Sequence, residues 1–449
     1  MSEVLRSIGL DVGTTSTQLV LSELTVENRA SSFAVPEMEI ANRRILYKSP
    51  VYFTPLLSGD LVDGAGIRKI VEREYRNAGI TWQDVNTGAV IITGETSRKE
   101  NARTVLDALS EYAGDFVVAT AGPDLESLLA AKGAGAVAYS AETGKAVLHM
   151  DIGGGTSNLA LIRDGIVVRT GCLNVGGRLM KLDETGKITW ISPVLQGICR
   201  EKAGERVTRE QMAQIGELLA QALEMAAGLR EPTPLLQMLL TREVQTPWIP
   251  PEEPVELSFS GGVADCIAAE HPWLEFGDIG PILGQSIRES RLCRGAYRLG
   301  SETIRATGIG AGCHSTQLSG STVFSRNVVF PLKNLPVVDV PNPSSIQEAL
   351  SGQEGLAVLA LPGQDAPSYR QITALAEEIA ARISGPVLIC LEQDMAKALG
   401  QALALRLSPE TPILCIDRVK VSRGSFLDIG APVGGAFPVV VKTLVLGQA

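Results

Sequence analysis

Two short stretches of this sequence carry residues suited to phosphate chemistry. The first is Ile8-Gly9-Leu10-Asp11-Val12-Gly13-Thr14-Thr15-Ser16-Thr17-Gln18-Leu19-Val20-Leu21. A gapless counterpart follows at Leu148-His149-Met150-Asp151-Ile152-Gly153-Gly154-Gly155-Thr156-Ser157-Asn158-Leu159-Ala160-Leu161. Of the 14 paired positions four are identical and six more are conservative, so the two read as copies. Each predicts a β-hairpin: an apolar strand, an aspartate, a turn of glycines and hydroxyls, then an alternating strand. Glycine admits a close backbone approach, and successive N–H groups form a concave site for phosphate oxygens. Gly13, Thr14, Thr15 and Ser16 on one tip, with Gly153, Gly154, Gly155 and Thr156 on the other, are the candidate phosphate ligands. Asp11 and Asp151, at the strand ends, can hold a hydrated Mg2+ or orient an attacking water. The spacing leaves open which aspartate does which. A single hairpin of this kind is usually an ordinary turn, with its aspartate bonded locally. A paired copy is what gripping a polyphosphate from both sides requires.

Such a pair needs two sheets that face each other. Around the first hairpin, residues 43–57, 85–93 and 116–120 read as strands. Helices are expected near 63–78, 98–112 and from Asp124 onward. A second half begins near 146 and contains an amphipathic helix over 208–229. This alternation predicts an α/β protein of two ribonuclease-H-like lobes. The six prolines within 231–256 predict a surface connection, and 277–299 reads as helical. Residues 307–322 read as a strand and glycine-rich turn that joins domains. Pro331, Pro336, Pro341 and Pro343 predict a linker, and beyond it 357–421 follows a β-α-β-α-β pattern. A buried strand pair is expected at the close. The expected domains are therefore 1–145, 146–330 and a C-terminal α/β segment over 331–449.

Composition narrows the function. The 449 residues carry a net charge of −10, against the basic surface that general nucleic-acid binding needs. No segment approaches the roughly 18 apolar residues of a membrane span. The N-terminus runs directly into an apolar strand, with no secretory leader. Seven scattered cysteines without a Cys-x-x-Cys fit reduced thiols in a cytoplasmic protein. No Walker A loop, His-Glu-x-x-His or Gly-x-Ser-x-Gly is present, and Gly308-Ile309-Gly310-Ala311-Gly312-Cys313 lacks the third Rossmann glycine. The 46 glycines point instead to tight turns and backbone-lined sites.

The paired hairpins resemble the two phosphate hairpins of the actin/Hsp70/sugar-kinase ATPase superfamily. Leu257-Ser258-Phe259-Ser260-Gly261-Gly262 resembles that superfamily's adenosine element and implies Gly261 and Gly262 beside the nucleoside. The small-residue run at 130–139 is similar to its connecting helix between lobes. Thr93-Gly94-Glu95-Thr96 stands where the superfamily often places further phosphate or metal contacts, with Glu95 or Thr96 near Mg2+; Thr96 or Ser97 as a helix cap is an equal reading. Three further segments (92–102, 306–322 and 424–444) resemble the ethanolamine ammonia-lyase reactivating factors, and this likeness covers essentially the whole chain. It implies a cytoplasmic, chaperone-like ATPase of ethanolamine utilisation, associated with a microcompartment and using ATP and Mg2+. Its partner would be ethanolamine ammonia-lyase, from which it would release damaged cobalamin so that adenosylcobalamin can enter. No Asp-x-His-x-x-Gly cobalamin motif occurs here. A reactivase of another cobalamin enzyme, a small-molecule kinase and an ATP-binding scaffold stand as alternatives. Oligomeric state is not readable.

Overall fold

The computed structural model describes residues 3–13, 15–30, 38–58, 61–93, 101, 109, 118–120, 122–241, 247–320, 322–351, 355–419, 421 and 425–443. The first lobe holds β1 (Glu3–Val12), β2 (Ser16–Asn28), β3 (Met38–Lys48), β4 (Tyr52–Phe53), β7 (Thr87–Ile92) and β8 (Val118–Thr120) in one sheet. A small pair, β5 (Leu56–Ser58) and β6 (Leu61–Val62), stands apart from it. The sheet order is β3-β2-β1-β7-β8, with β4 on β2. The first three strands are antiparallel, and β1, β7 and β8 are parallel. β7 is buried at every position, as its run Ala89-Val90-Ile91-Ile92 anticipates for a strand covered on both faces. The Gly64–Ala78 helix covers one face through Ile67, Val71 and Tyr75, at helical spacing. Asp63 caps its start by accepting from the Gly66 N–H, and Gly79 ends it in the left-handed region.

The second lobe repeats this plan. β9 (Val147–Ile152), β10 (Ser157–Arg163), β11 (Ile166–Leu173), β14 (Glu256–Ser260) and β15 (Tyr297–Leu299) lie in the order β11-β10-β9-β14-β15. Again three strands are antiparallel and the last two run parallel to the first. Both lobes thus have the expected ribonuclease-H-like order. β12 (Met180–Leu182) and β13 (Ile188–Ile191) form a separate pair. The expected amphipathic helix is Arg209–Ala226, started by a capping box between Thr208 and Gln211. The 277–299 region holds an α-helix over Gly280–Glu289 and a 3-10 turn at Arg291–Cys293, with β15 beyond them. Among its described residues the proline-rich connection contains a short helix, Pro234–Leu239, anchored by buried Leu236 and Leu239.

Two helices cross between the lobes. The small-residue run breaks into Pro123–Gly133 and Ala136–Thr143, because Gly135 takes a positive φ. Ala306–His314 is a helix, not the strand and turn its glycines suggested. Three glycines are poor helix formers, at about 1 kcal/mol each, but close packing selects them. A Cβ on Gly133 would sit 1.9 Å from the Ala306 carbonyl oxygen, and one on Gly310 2.1 Å from that of Leu129. Backbones touch at this crossing, so side chains are excluded.

The third sheet takes in β16 (Thr316–Leu318), β17 (Phe324–Arg326), β18 (Leu332–Asp339), β19 (Val358–Leu361), β20 (Val387–Leu391), β21 (Ile413–Ile416), β22 (Ser425–Ile429) and β23 (Pro438–Thr443). Its order is β16-β23-β22-β18-β19-β20-β21-β17. The expected β-α-β-α-β run and the closing strand pair are present. The expected linker, however, is strand β18. Pro336 lacks an N–H, but it pairs with β22, and bonding to β19 begins only at Val337. This sheet packs back on the first lobe, where Val440 joins Ala89, Ile91, Leu129 and Ala311. Among the described residues no helix is long and apolar enough to cross a membrane.

Candidate functional site

The two hairpins are built alike at their tips. The Gly13 N–H donates to the Ser16 carbonyl at 2.8 Å, and the Gly153 N–H to the Thr156 carbonyl at 2.9 Å. Neighbouring segments take up the tip carbonyls. Thr54 donates through Oγ1 to Gly13 O and through N–H to Thr15 O, while Gly177 and Arg178 donate their N–H groups to Gly153 O and Gly154 O. A trans peptide turns its N–H opposite to its C=O, so the Gly154 and Gly155 amides face away from those bonds. Both tips open on one cavity of about 370 Å3. Its walls include Asp11, Gly13, Thr15 and Ser16 from the first lobe, and Asp151, Gly153, Gly154, Gly155, Thr156, Gly261 and Gly262 from the second. Thr14, Glu95 and Thr96 lie outside the described residues. Every other sequence-derived candidate is in this one wall.

The carboxylates are buried and costly to ionise. Burial pushes Asp11 up to about 7, opposed by the Thr93 hydroxyl, with the Asp151 charge adding to the rise. Thr93 Oγ1 donates to Asp11 Oδ1 at 3.0 Å. Burial likewise raises Asp151 to about 6, opposed by Ser260, whose Oγ donates to Asp151 Oδ1. Thr307 Oγ1 stands 3.4 Å from Asp151 Oδ2. A third wall carboxylate, Asp278, is raised to about 6 by burial, and its Oδ1 accepts from the Gly280 N–H at 2.9 Å. Three desolvated carboxyls around one space create a demand for positive charge there.

Sequence reading passed over several wall residues. Glu126, from the first crossing helix, brings a fourth carboxylate. No motif marks it, because its place depends on how that helix crosses the lobes. Thr93 and Ser260 each lie inside a quoted motif, yet their bonds to the aspartates depend on how the strands are paired. Ser260 pairs with Asp151 across β14 and β9. Arg178 stacks its guanidinium 5.1 Å from the Phe53 ring of the other lobe. Lys48 and Glu302 form an ion pair between lobes, and Arg305 Nη2 donates to Ser49 O at 3.0 Å.

The wall suits a phosphate-bound cation. Among the described residues no three His, Cys, Asp or Glu side chains gather as a metal cluster. A divalent ion would therefore draw on phosphate and water, as Mg2+ commonly does. Thr15 Oγ1 is buried without a hydrogen-bond partner, and it lies where a Cβ on Gly154 would come within 2.2 Å. That orphaned hydroxyl beside a bare glycine leaves a free donor where the two tips meet.

The family model described as ethanolamine utilisation protein EutA matches residues 3–447. The chain is 38% identical to the ethanolamine ammonia-lyase reactivase EutA of Salmonella typhimurium, over 98% of each chain. It is 37% identical to the protein of that name from Escherichia coli, again over 98% of each. Among solved structures, a Ppx/GppA family member from Aquifex aeolicus is 16% identical, with a TM-score of 0.36 over 60% of this chain and 69% of that one.

Proposed function

Because the chain belongs to the ethanolamine utilisation protein EutA family, we propose that it is an ATP-driven reactivating factor for ethanolamine ammonia-lyase. The observation that carries the ATPase part is the meeting of both repeated hairpin tips in one wall with Asp11 and Asp151. The client is the enzyme after which these relatives are named, and they align with 98% of this chain.

In this reading the polyphosphate of ATP lies between the tips. The Gly154 and Gly155 amides, Thr15, Ser16 and Thr156 hold its oxygens, and Gly261 and Gly262 flank the adenosine. Mg2+, when bound, offsets phosphate charge and favours the ionised state of both aspartates. Asp11 and Asp151 then act as carboxylates that orient water or metal ligands. Glu126 reaches the same space from a helix shared by the lobes, well placed to order the attacking water.

Work on the client comes from closure. Thr15 against Gly154, Arg178 over Phe53 and the Lys48–Glu302 pair add contacts between the lobes to those of the crossing helices. A γ-phosphate adds to that clasp and its loss weakens it, so nucleotide state biases the lobe arrangement. A client that binds one arrangement better is strained or released, and damaged cobalamin departs from it. The test is direct. Ethanolamine ammonia-lyase inactivated with cyanocobalamin is incubated with this protein, ATP, Mg2+ and fresh adenosylcobalamin. Recovery of deamination that requires ATP is expected. No recovery, while the protein binds and hydrolyses ATP, would refute the client assignment.

A further inference from the structure

A buried histidine lies directly behind one of the two aspartates. His149 is fully buried on β9, two residues before Asp151 and hence on the same strand face. Its Nε2 is 2.9 Å from Ser260 Oγ, and its Nδ1 is 3.0 Å from Ser258 Oγ. Both serines stand on β14, in register with His149 and Asp151.

When Asp151 is ionised the proton count has one solution. A serine hydroxyl has a single proton, and that of Ser260 goes to Asp151 Oδ1. His149 must therefore donate from Nε2–H, which leaves Nδ1 as acceptor for the Ser258 hydroxyl. The chain runs one way, from Ser258 to His149 to Ser260 to Asp151. A neutral imidazole has one donor and one acceptor, and here each is used.

We propose that His149 is a positioning residue for the nucleotide cleft. It commits the Ser260 proton to Asp151 Oδ1 and so fixes the carboxylate plane, turning Oδ2 to the reacting groups. The first hairpin has no such support. The residue paired with His149 in the repeat is Gly9, and a Cβ there would lie 2.0 Å from the Gly308 carbonyl oxygen. The crossing helix occupies that space, and Asp11 has Thr93 in place of a serine–imidazole chain. The repeat is thus symmetric in its phosphate tips and asymmetric in what holds its aspartates.

This inference rests on the ATPase reading for its kinetic arm and on geometry alone for its spectroscopic arm. With ring-15N histidine, only three histidines contribute signals, and His149→Gln identifies the one of interest. The expected spectrum at pH 8, where Asp151 is ionised, carries the ring proton on Nε2. An Nδ1–H tautomer with a bare Nε2 at that pH would overturn the proposal, whether or not ATP is hydrolysed. In the kinetic arm, His149→Leu and Ser260→Ala should each lower kcat roughly ten- to a hundredfold, the scale of a hydrogen bond to a charged group. KM for ATP should stay within about threefold, since positioning acts on the chemical step. The double variant should be no worse than the poorer single one. His149→Gln, whose amide can replace the Nε2 donor, should recover much of the loss. Additive losses, a loss confined to KM, or no rescue by glutamine would overturn it. A wild-type protein that hydrolyses no ATP would refute the function proposed above, and the tautomer would still decide this inference.

Discussion

Replacing Asp11 by asparagine should stabilise the nucleotide-free protein, and by an amount that grows with pH. In the folded chain burial raises the Asp11 carboxyl from 3.8 to about 7. Between pH 5 and 7 the unfolded chain has already released this proton and the folded chain still holds it. The folded state binds more protons there, so stability falls as pH rises, by about 1.4 kcal/mol per pH unit. Above about 7 both states are ionised and the cost levels off. From pH 5 to 8 the wild type should therefore lose roughly 2–3 kcal/mol through this residue. Asp11→Asn loses nothing by this route, and its amide oxygen can still accept from Thr93. The other raised carboxyls, Asp151 and Asp278, are common to both proteins and largely cancel. The assay is thermal unfolding of the two proteins in chelator, without nucleotide, at pH 5, 6, 7 and 8. For a lobe of this size the gap in Tm should widen by roughly 5–10 °C between pH 5 and 8. Excess Mg2+ and ATP should close much of it, because they favour the ionised aspartate. A gap that is flat across this range, or that narrows with pH, would refute the claim that Asp11 is a desolvated carboxyl held for a cation.

Three further outcomes are expected. Glu126→Gln should lower ATP turnover roughly 10²- to 10⁴-fold, the range for loss of a general base, with nucleotide affinity unchanged in a fluorescence titration. Thr15→Val keeps the shape and removes the unpartnered hydroxyl; binding of a non-hydrolysable ATP analogue, read by calorimetry, should weaken about tenfold, the value of one hydrogen bond to a charged group. Gly310→Ala places a methyl group 2.1 Å from Leu129 O, and the overpacking should cost about 1–3 kcal/mol, seen as a lower Tm with an unchanged circular dichroism spectrum.

The two hairpins show how far local pattern reaches. Asp11, Gly13, Asp151 and Gly153 occupy equivalent turns because the same types at the same spacing close the same turn bonds. The amphipathic helix at Arg209–Ala226 and the parallel run of the third sheet were legible for the same reason: periodicity reports which face is buried. The Ala306–His314 helix was not legible. Its glycines argue for a turn on propensity, and only the approach of Gly9, Gly133 and Leu129 makes them the residues a helix needs there. Pro336 misled in the same way, since whether a proline can sit in a strand depends on which neighbour asks for its N–H.

The sequence by itself determined the local pattern of this protein: two copies of a turn rich in glycine and hydroxyls, each with an aspartate, in two α/β lobes. It could do so because turn geometry and strand alternation are set by residues a few positions apart. Tertiary structure alone decided what surrounds those aspartates. Glu126, Thr93, Ser260 and His149 come from four separate segments, and strand register and helix crossing bring them to the site. The repeat made the two aspartates look interchangeable, yet one is backed by an imidazole and the other by a helix backbone packed against Gly9. That difference arises from contacts between residues far apart in the chain, where spacing along the sequence carries no information.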